Sequence, residues 1–202
     1  MTETRSTSDR RPLAIGIALA TALYAVVYRF VPYEAQAYLL WPFGALALYS
    51  GARLRLWQAV LLIFLVQAGT DLAFYAMNSW KIPIATYMCF GLFVLLGVCV
   101  RPLLRIHWLA ASLGLFATSI VGYAIFFFIT NTAAWIENSR QYYQPHTFET
   151  LMQAYGEGLE FLRARPWQFF SNPICVGLVF GAHVLFARTF FTSEQFGVEQ
   201  SR

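Results

Sequence analysis

Long apolar runs, broken at short intervals by polar or basic groups, fill the chain from Leu13 onward. A helix that crosses a bilayer needs about 20 mainly apolar residues at about 1.5 Å per residue. That length predicts spans at Leu13 to Phe30, Ala37 to Gly51, Leu56 to Tyr75, Ile82 to Val100, Trp108 to Ile129 and Trp167 to Arg188. The second is short, and Trp41-Pro42 places its start at the interface, since proline is tolerated in a helix's first turn. Turn chemistry separates the runs: Val31-Pro32-Tyr33-Glu34, the Arg53 and Arg55 pair, Asn78-Ser79-Trp80-Lys81 and Arg101-Pro102. The expected fold is all-α, a polytopic membrane bundle of about six transmembrane helices whose short loops make sequential helices antiparallel neighbours.

One stretch breaks this pattern. Between Asn138 and Pro166, Phe148, Leu151, Met152, Tyr155, Leu159 and Leu162 recur at three- and four-residue steps, with Glu149, Gln153, Glu157 and Glu160 on other faces. The period predicts an amphipathic helix over 147–163, too polar to span, lying on the outer face of the bundle either as a lid or as a plain interfacial helix. Residues 1–11 read as a disordered tail and 191–202 as a second tail, leaving 12–190 as the membrane domain. The first apolar run is long enough to span and lacks a small-residue cleavage site, so it reads as a retained helix rather than a secretory signal.

Composition agrees with a lipid-facing surface: 58% of residues are hydrophobic and 12% charged, against roughly a quarter charged in soluble domains. The net charge of +4 does not point to nucleic acid, because the basic residues form no stripe and sit at the ends of apolar runs. With the N-terminus inside, nine of them (Arg5, Arg10, Arg11, Arg53, Arg55, Arg101, Arg105, Arg188 and Arg202) fall on the cytoplasmic side and five outside. Three of the outer five, Arg140, Arg163 and Arg165, belong to one long loop. This bias predicts cytoplasmic N- and C-termini. Cys89, Cys99 and Cys175 lie inside apolar runs and are expected to be free thiols acting as small core residues. No H-E-x-x-H, G-x-S-x-G, paired intramembrane aspartates or glycine-rich phosphate loop occurs, so the chain is not expected to act as an enzyme or to hold a metal or cofactor.

Several residues carry chemistry beyond packing. Ala14, Ala18 and Ala22 form a small-residue ridge on the first helix, and Gly177-x-x-x-Gly181 forms another on the last. Such ridges let a neighbouring helix approach closely, within the chain or from another subunit. Asp71 is an acid inside a predicted span, where a carboxylate costs about 2.5 to 3.5 kcal/mol at the centre and less towards the interface. It calls for a partner or a ligand, unless it is solvated at headgroup level. Asn131 and Trp135 share one helix face and suit the wall of a flat, polar-edged ligand, or an interfacial belt. Asn172 and Tyr87 add polar groups at a similar depth.

The runs Trp41-Pro42-Phe43-Gly44-Ala45-Leu46-Ala47-Leu48-Tyr49-Ser50-Gly51, Phe126-Phe127-Phe128-Ile129-Thr130-Asn131-Thr132-Ala133-Ala134-Trp135 and Pro166-Trp167-Gln168-Phe169-Phe170-Ser171-Asn172 resemble an uncharacterised family of small bacterial membrane proteins over about 36–180. That family is similar, more weakly, to the substrate-binding S components of energy-coupling-factor vitamin transporters. The likeness implies six helices, an outward-facing site beneath the loops and a first helix docking through Ala14, Ala18 and Ala22 on a transmembrane coupling subunit that works with ATPases. One departure is that Gly177 stands where the family often has an acid, so no role of that acid carries over.

The function expected from these readings is substrate binding for a transporter in the bacterial cytoplasmic membrane. Asp71, Tyr87, Asn131, Trp135 and Asn172 would line a site for a small polar or aromatic solute. The competing expectation is a structural or assembly subunit of a larger membrane complex. Topology gives the first test: single cysteines at positions 4 and 198 of a cysteine-free variant are expected to react with an impermeant maleimide only from the cytoplasmic side, and one at 144 only from outside. Labelling of 4 and 144 from one side would refute the six-span topology, which places five crossings between them.

Overall fold

A computed structural model describes residues 11–36, 38–78, 83–106, 108–137, 143, 145–164 and 166–199. Among these every regular element is a helix: α1 (Arg11–Phe30), α2 (Tyr33–Gln36), α3 (Pro42–Arg53), α4 (Leu56–Asn78), α5 (Ile84–Val100), α6 (Leu103–Ile106), α7 (Trp108–Ile136), α8 (Phe148–Ala164) and α9 (Pro166–Glu199). Four helices are long and apolar enough to cross a membrane, at Arg11–Phe30, Leu56–Met77, Leu109–Ile136 and Pro166–Thr189. The apolar α5 is shorter, at 17 residues. The expected tail from 191 is helical as far as Glu199, because α9 continues without a break. The tail at 1–10 and most of the loop at 138–144 lie outside the described residues.

Burial runs opposite to that of a soluble bundle. Leu23, Leu72 and Leu185 are each more than 60% exposed, while Gln67, Asp71, Ser119 and Asn172 are fully buried. Leucine outward and amide or carboxylate inward is what hydrocarbon surroundings require, since lipid solvates the first and not the second. The expectation that all three cysteines are core residues holds for Cys89 and Cys175, whereas Cys99 is on the exposed face of α5.

The six-span reading meets a difference at α3. Its 12 residues reach about 18 Å, well short of a hydrocarbon core of about 30 Å. Every residue from Pro42 to Ala52 is buried, and the helix is packed against α1, α4, α5, α7 and α9. It is the axis of the bundle rather than one of its lipid-facing staves. The contact with α5 is the tightest: a Cβ on Gly51 would strike the Val94 carbonyl, and one on Gly97 would strike the Leu48 carbonyl. Small side chains also bring α1 close, through Ala14, Ala18, Ala22 and Ala25, all buried.

The lower end of α3, where the chain turns into α4, leaves carbonyls with no helical partner. Arg101, at the end of α5, supplies donors: its Nε binds the Gly51 carbonyl at 2.8 Å and a terminal nitrogen binds that of Leu54 at 2.6 Å. A cation at a helix C-terminus also meets the favourable end of the dipole. At the upper end, level with the C-termini of α1 and α4, α3 begins at Pro42 after an extended Trp41 and has no side-chain cap. The extended approach is held by Tyr24, whose hydroxyl donates to the Leu40 carbonyl at 2.8 Å.

The α3–α5 packing yields a stability prediction. Gly97→Val puts branched carbons against rigid backbone, and overpacking of this kind costs about 1 to 3 kcal/mol, so a clear fall in melting temperature in detergent is expected. Gly177→Ala, where a Cβ meets nothing within 4 Å, is expected to leave the melting temperature unchanged or slightly raised. Equal effects of the two substitutions would contradict the close approach.

Candidate functional site

Because α3 is short, the helices around it enclose a space above its first turn. A cleft of about 510 Å³ lies there, reached by residues near the upper ends of α1, α4, α5, α7 and α9. Its walls are mostly aromatic: Trp41, Phe43, Phe90, Phe126, Tyr123 and Phe74. The Trp41 ring meets Phe126 edge-on at a centroid distance of 5.2 Å and Tyr123 at 6.2 Å. Such edge-to-face contacts fix ring orientations. Arg29, Gln36, Gln67, Thr86, Gln168 and Ser171 bring polar groups to the same space.

Beside the cleft, Arg29 forms a salt bridge with Asp71, and Arg29 also donates to the Gln67 amide oxygen at 3.2 Å. The second carboxylate oxygen of Asp71 accepts from the Gln67 amide nitrogen at 3.0 Å and from the Tyr87 hydroxyl at 2.8 Å. Gln67 and Asp71 are one helical turn apart and so share a face of α4. The guanidinium carbon stands 5.3 Å from the Phe74 ring centre and 5.8 Å from that of Phe43, within cation–π range. Asp71 therefore has a partner, and it is fully buried rather than solvated at headgroup level.

Of the five residues expected to line one site, only Asp71 and Tyr87 belong to this cluster. Asn172 is buried between helices, donating to the Ser119 hydroxyl at 3.0 Å. It lies against Gly44 so closely that a Cβ there would collide with its amide. Its amide oxygen has no hydrogen-bond partner. Asn131 and Trp135 do share a face, but that face carries α8. The Asn131 amide donates back to the Phe127 carbonyl at 2.7 Å and packs against Gly158, and the Trp135 indole donates to the Thr150 hydroxyl at 2.9 Å. Thr132 and Tyr155 hydroxyls, 2.7 Å apart, extend the same seam. These two residues fasten α8 to α7 and do not line the cleft, so the structure does not bring the five residues together in one place.

The helix at 148–164 lies along the upper part of α7 and the start of α9, and none of its residues lines the cleft, so it is a buttress rather than a cover. Ala14, Ala18 and Ala22 face α3, α4 and α9 inside the bundle, and α1 turns Leu19, Leu23 and Val27 outward instead. In this structure the ridge is covered by the chain's own helices. By contrast Gly177 and Gly181 line an open groove of about 730 Å³ between α7 and α9.

Arg29, Gln67 and the ring cage of Trp41, Phe43, Phe90 and Phe126 are functional candidates that the sequence reading missed. One signal was present: Arg29 and Asp71 are opposite charges inside two separate apolar runs, and charges at that depth seek each other.

The ion pair gives a testable asymmetry. Asp71→Ala leaves the part-buried Arg29 without its counter-ion; breaking a fully buried pair costs about 3 to 5 kcal/mol and the partial exposure of Arg29 reduces that, so a clear fall in thermal stability is expected. The double variant Arg29→Gln/Asp71→Asn, uncharged and still able to hydrogen-bond, is expected to regain more than half of the loss. A double variant no more stable than Asp71→Ala would show that the pair is not the source of the effect.

Residues 10–195 match the model of the family of unknown function DUF6580, and the chain belongs to that family. No curated protein and no solved structure matches the chain.

Proposed function

For this member of a family without an assigned activity, we propose the role of a solute-binding subunit of a membrane transporter. It takes a small solute into the aromatic cleft from the outer face of a bacterial cytoplasmic membrane, with both termini in the cytoplasm. The observation that carries this reading is the cleft itself, about 510 Å³ of space within the range of small-molecule sites, apolar-walled with a few convergent polar groups. The excess of basic residues on the lower side supports the orientation. The sequence has no phosphate loop, so energy comes from partner ATPases through a coupling subunit that docks on a face other than the buried alanine ridge of α1.

The groove along Gly177 and Gly181 favours a second reading, an assembly subunit that receives a helix of a larger complex at that face. Co-purification separates the two: a stoichiometric complex with no retained solute supports assembly.

Native mass spectrometry of the gently solubilised protein is expected to show a retained small molecule. Trp41→Ala, which removes one wall of the cleft, is expected to lower its occupancy about fivefold or more, since an aromatic wall contributes about 0.5 to 1.5 kcal/mol beyond buried area. An empty protein under conditions that preserve bound lipid, or occupancy indifferent to Trp41, would overturn the transport reading.

A further inference from the structure

Resting on the reading of the cleft as a solute site, we infer that its ligand is a planar aromatic or heterocyclic carboxylate. The inference comes from counting donors and acceptors around Arg29. A guanidinium has five N–H groups, and here one engages the Gln67 amide oxygen and one the Asp71 carboxylate. Three remain without a protein partner among the described residues, on a side chain that lines the cleft. The compensating acid is turned away. One oxygen of Asp71 is held by Arg29, the other by Gln67 and Tyr87, and the residue is fully buried and outside the cleft lining. A solute entering the cleft meets the cation first and the anion only behind it.

Nothing else in the lining offsets that charge. Among the described residues that line the cleft there is no Asp or Glu; its other polar groups are amides and hydroxyls. Trp41 and Phe43, which flank the uncapped start of α3, also line it, so the positive end of a 12-residue helix lies on the same side as the guanidinium. Phe43 and Phe74 hold the guanidinium carbon at 5.8 and 5.3 Å, which presents a fixed planar fork of the kind that binds a carboxylate with two parallel hydrogen bonds. The Trp41, Phe90 and Phe126 rings supply flat walls for the remainder of the molecule. A protonated amine of the same shape would bring a like charge against Arg29.

The test uses three probes of one shape in the purified full chain in nanodiscs: 2-naphthoate, 2-naphthamide and 2-naphthylmethylammonium, titrated by calorimetry. The carboxylate is expected to bind at least tenfold more tightly than the amide, and the ammonium most weakly. Arg29→Gln/Asp71→Asn, which leaves no unpaired charge, is expected to bring carboxylate and amide to within about twofold of each other. Amide or ammonium binding as tightly as carboxylate overturns the carboxylate inference and leaves the cleft as a solute site. Carboxylate preference surviving in the double variant overturns it as well, because the preference then comes from elsewhere. Binding of none of the three at millimolar concentration also overturns it, whereas the broader solute-binding reading fails on its own tests, if the native protein carries no small molecule or its occupancy is indifferent to Trp41.

Discussion

A 12-residue helix held in the middle of the bundle governs the rest of the architecture. Being buried from Pro42 to Ala52, α3 cannot rely on lipid for its end groups, which must meet protein or the cleft. The lower end is satisfied by Arg101, which reaches two carbonyls at once. That placement is possible only because α5 runs against α3 with no side chain between them at Gly51 and Gly97. Tight packing below and an open start above are thus two consequences of one helix length. Had α3 extended another two turns, it would have occupied the space where the cleft lies.

Charge at that level follows a second logic. An arginine at a helix end commonly extends to the interface, yet Arg29 turns inward to Asp71. The pair alone would be a doubtful gain, because the desolvation of two ions rivals their attraction. Gln67 and Tyr87 alter that balance by engaging the remaining carboxylate oxygen, and the Phe43 and Phe74 rings face the cation. The result is a neutral cluster whose positive member is the one exposed to the cleft.

The sequence made the long elements legible and left their mates obscure. α1, α4, α7 and α9 follow from apolar length alone, and α8 from its helical period, because both signals are local. The run at 37–51 could not be resolved in the same way: a core helix and a short span have the same apolar composition, and a length of 10 to 14 residues favours the core. Asp71 and Tyr87 stood out because ionisable or hydroxyl groups in apolar runs are rare. Asn131 and Trp135 stood out for the same reason, and their shared face was read correctly; which element covers that face depends on where the chain returns after 137. The alanine ridge of α1 has the same limit, since spacing shows that something approaches closely and not whether it comes from the same chain.

The non-helical approach to α3 ties these strands together. Backbone without helical hydrogen bonds is tolerated at membrane depth where it is enclosed by protein or lines a cavity; Leu40 meets the first condition and Trp41, which lines the cleft, the second. Tyr24 from α1 takes the Leu40 carbonyl, and the Trp41 ring is boxed by Phe90, Phe93, Tyr123 and Phe126 from α5 and α7. The segment is therefore held by helices on both sides of the cleft that it borders. Its position is set by the same contacts that set the cleft's shape, so a change in ring packing at Trp41 must be felt at the first turn of α3, and through Phe43 at the guanidinium of Arg29.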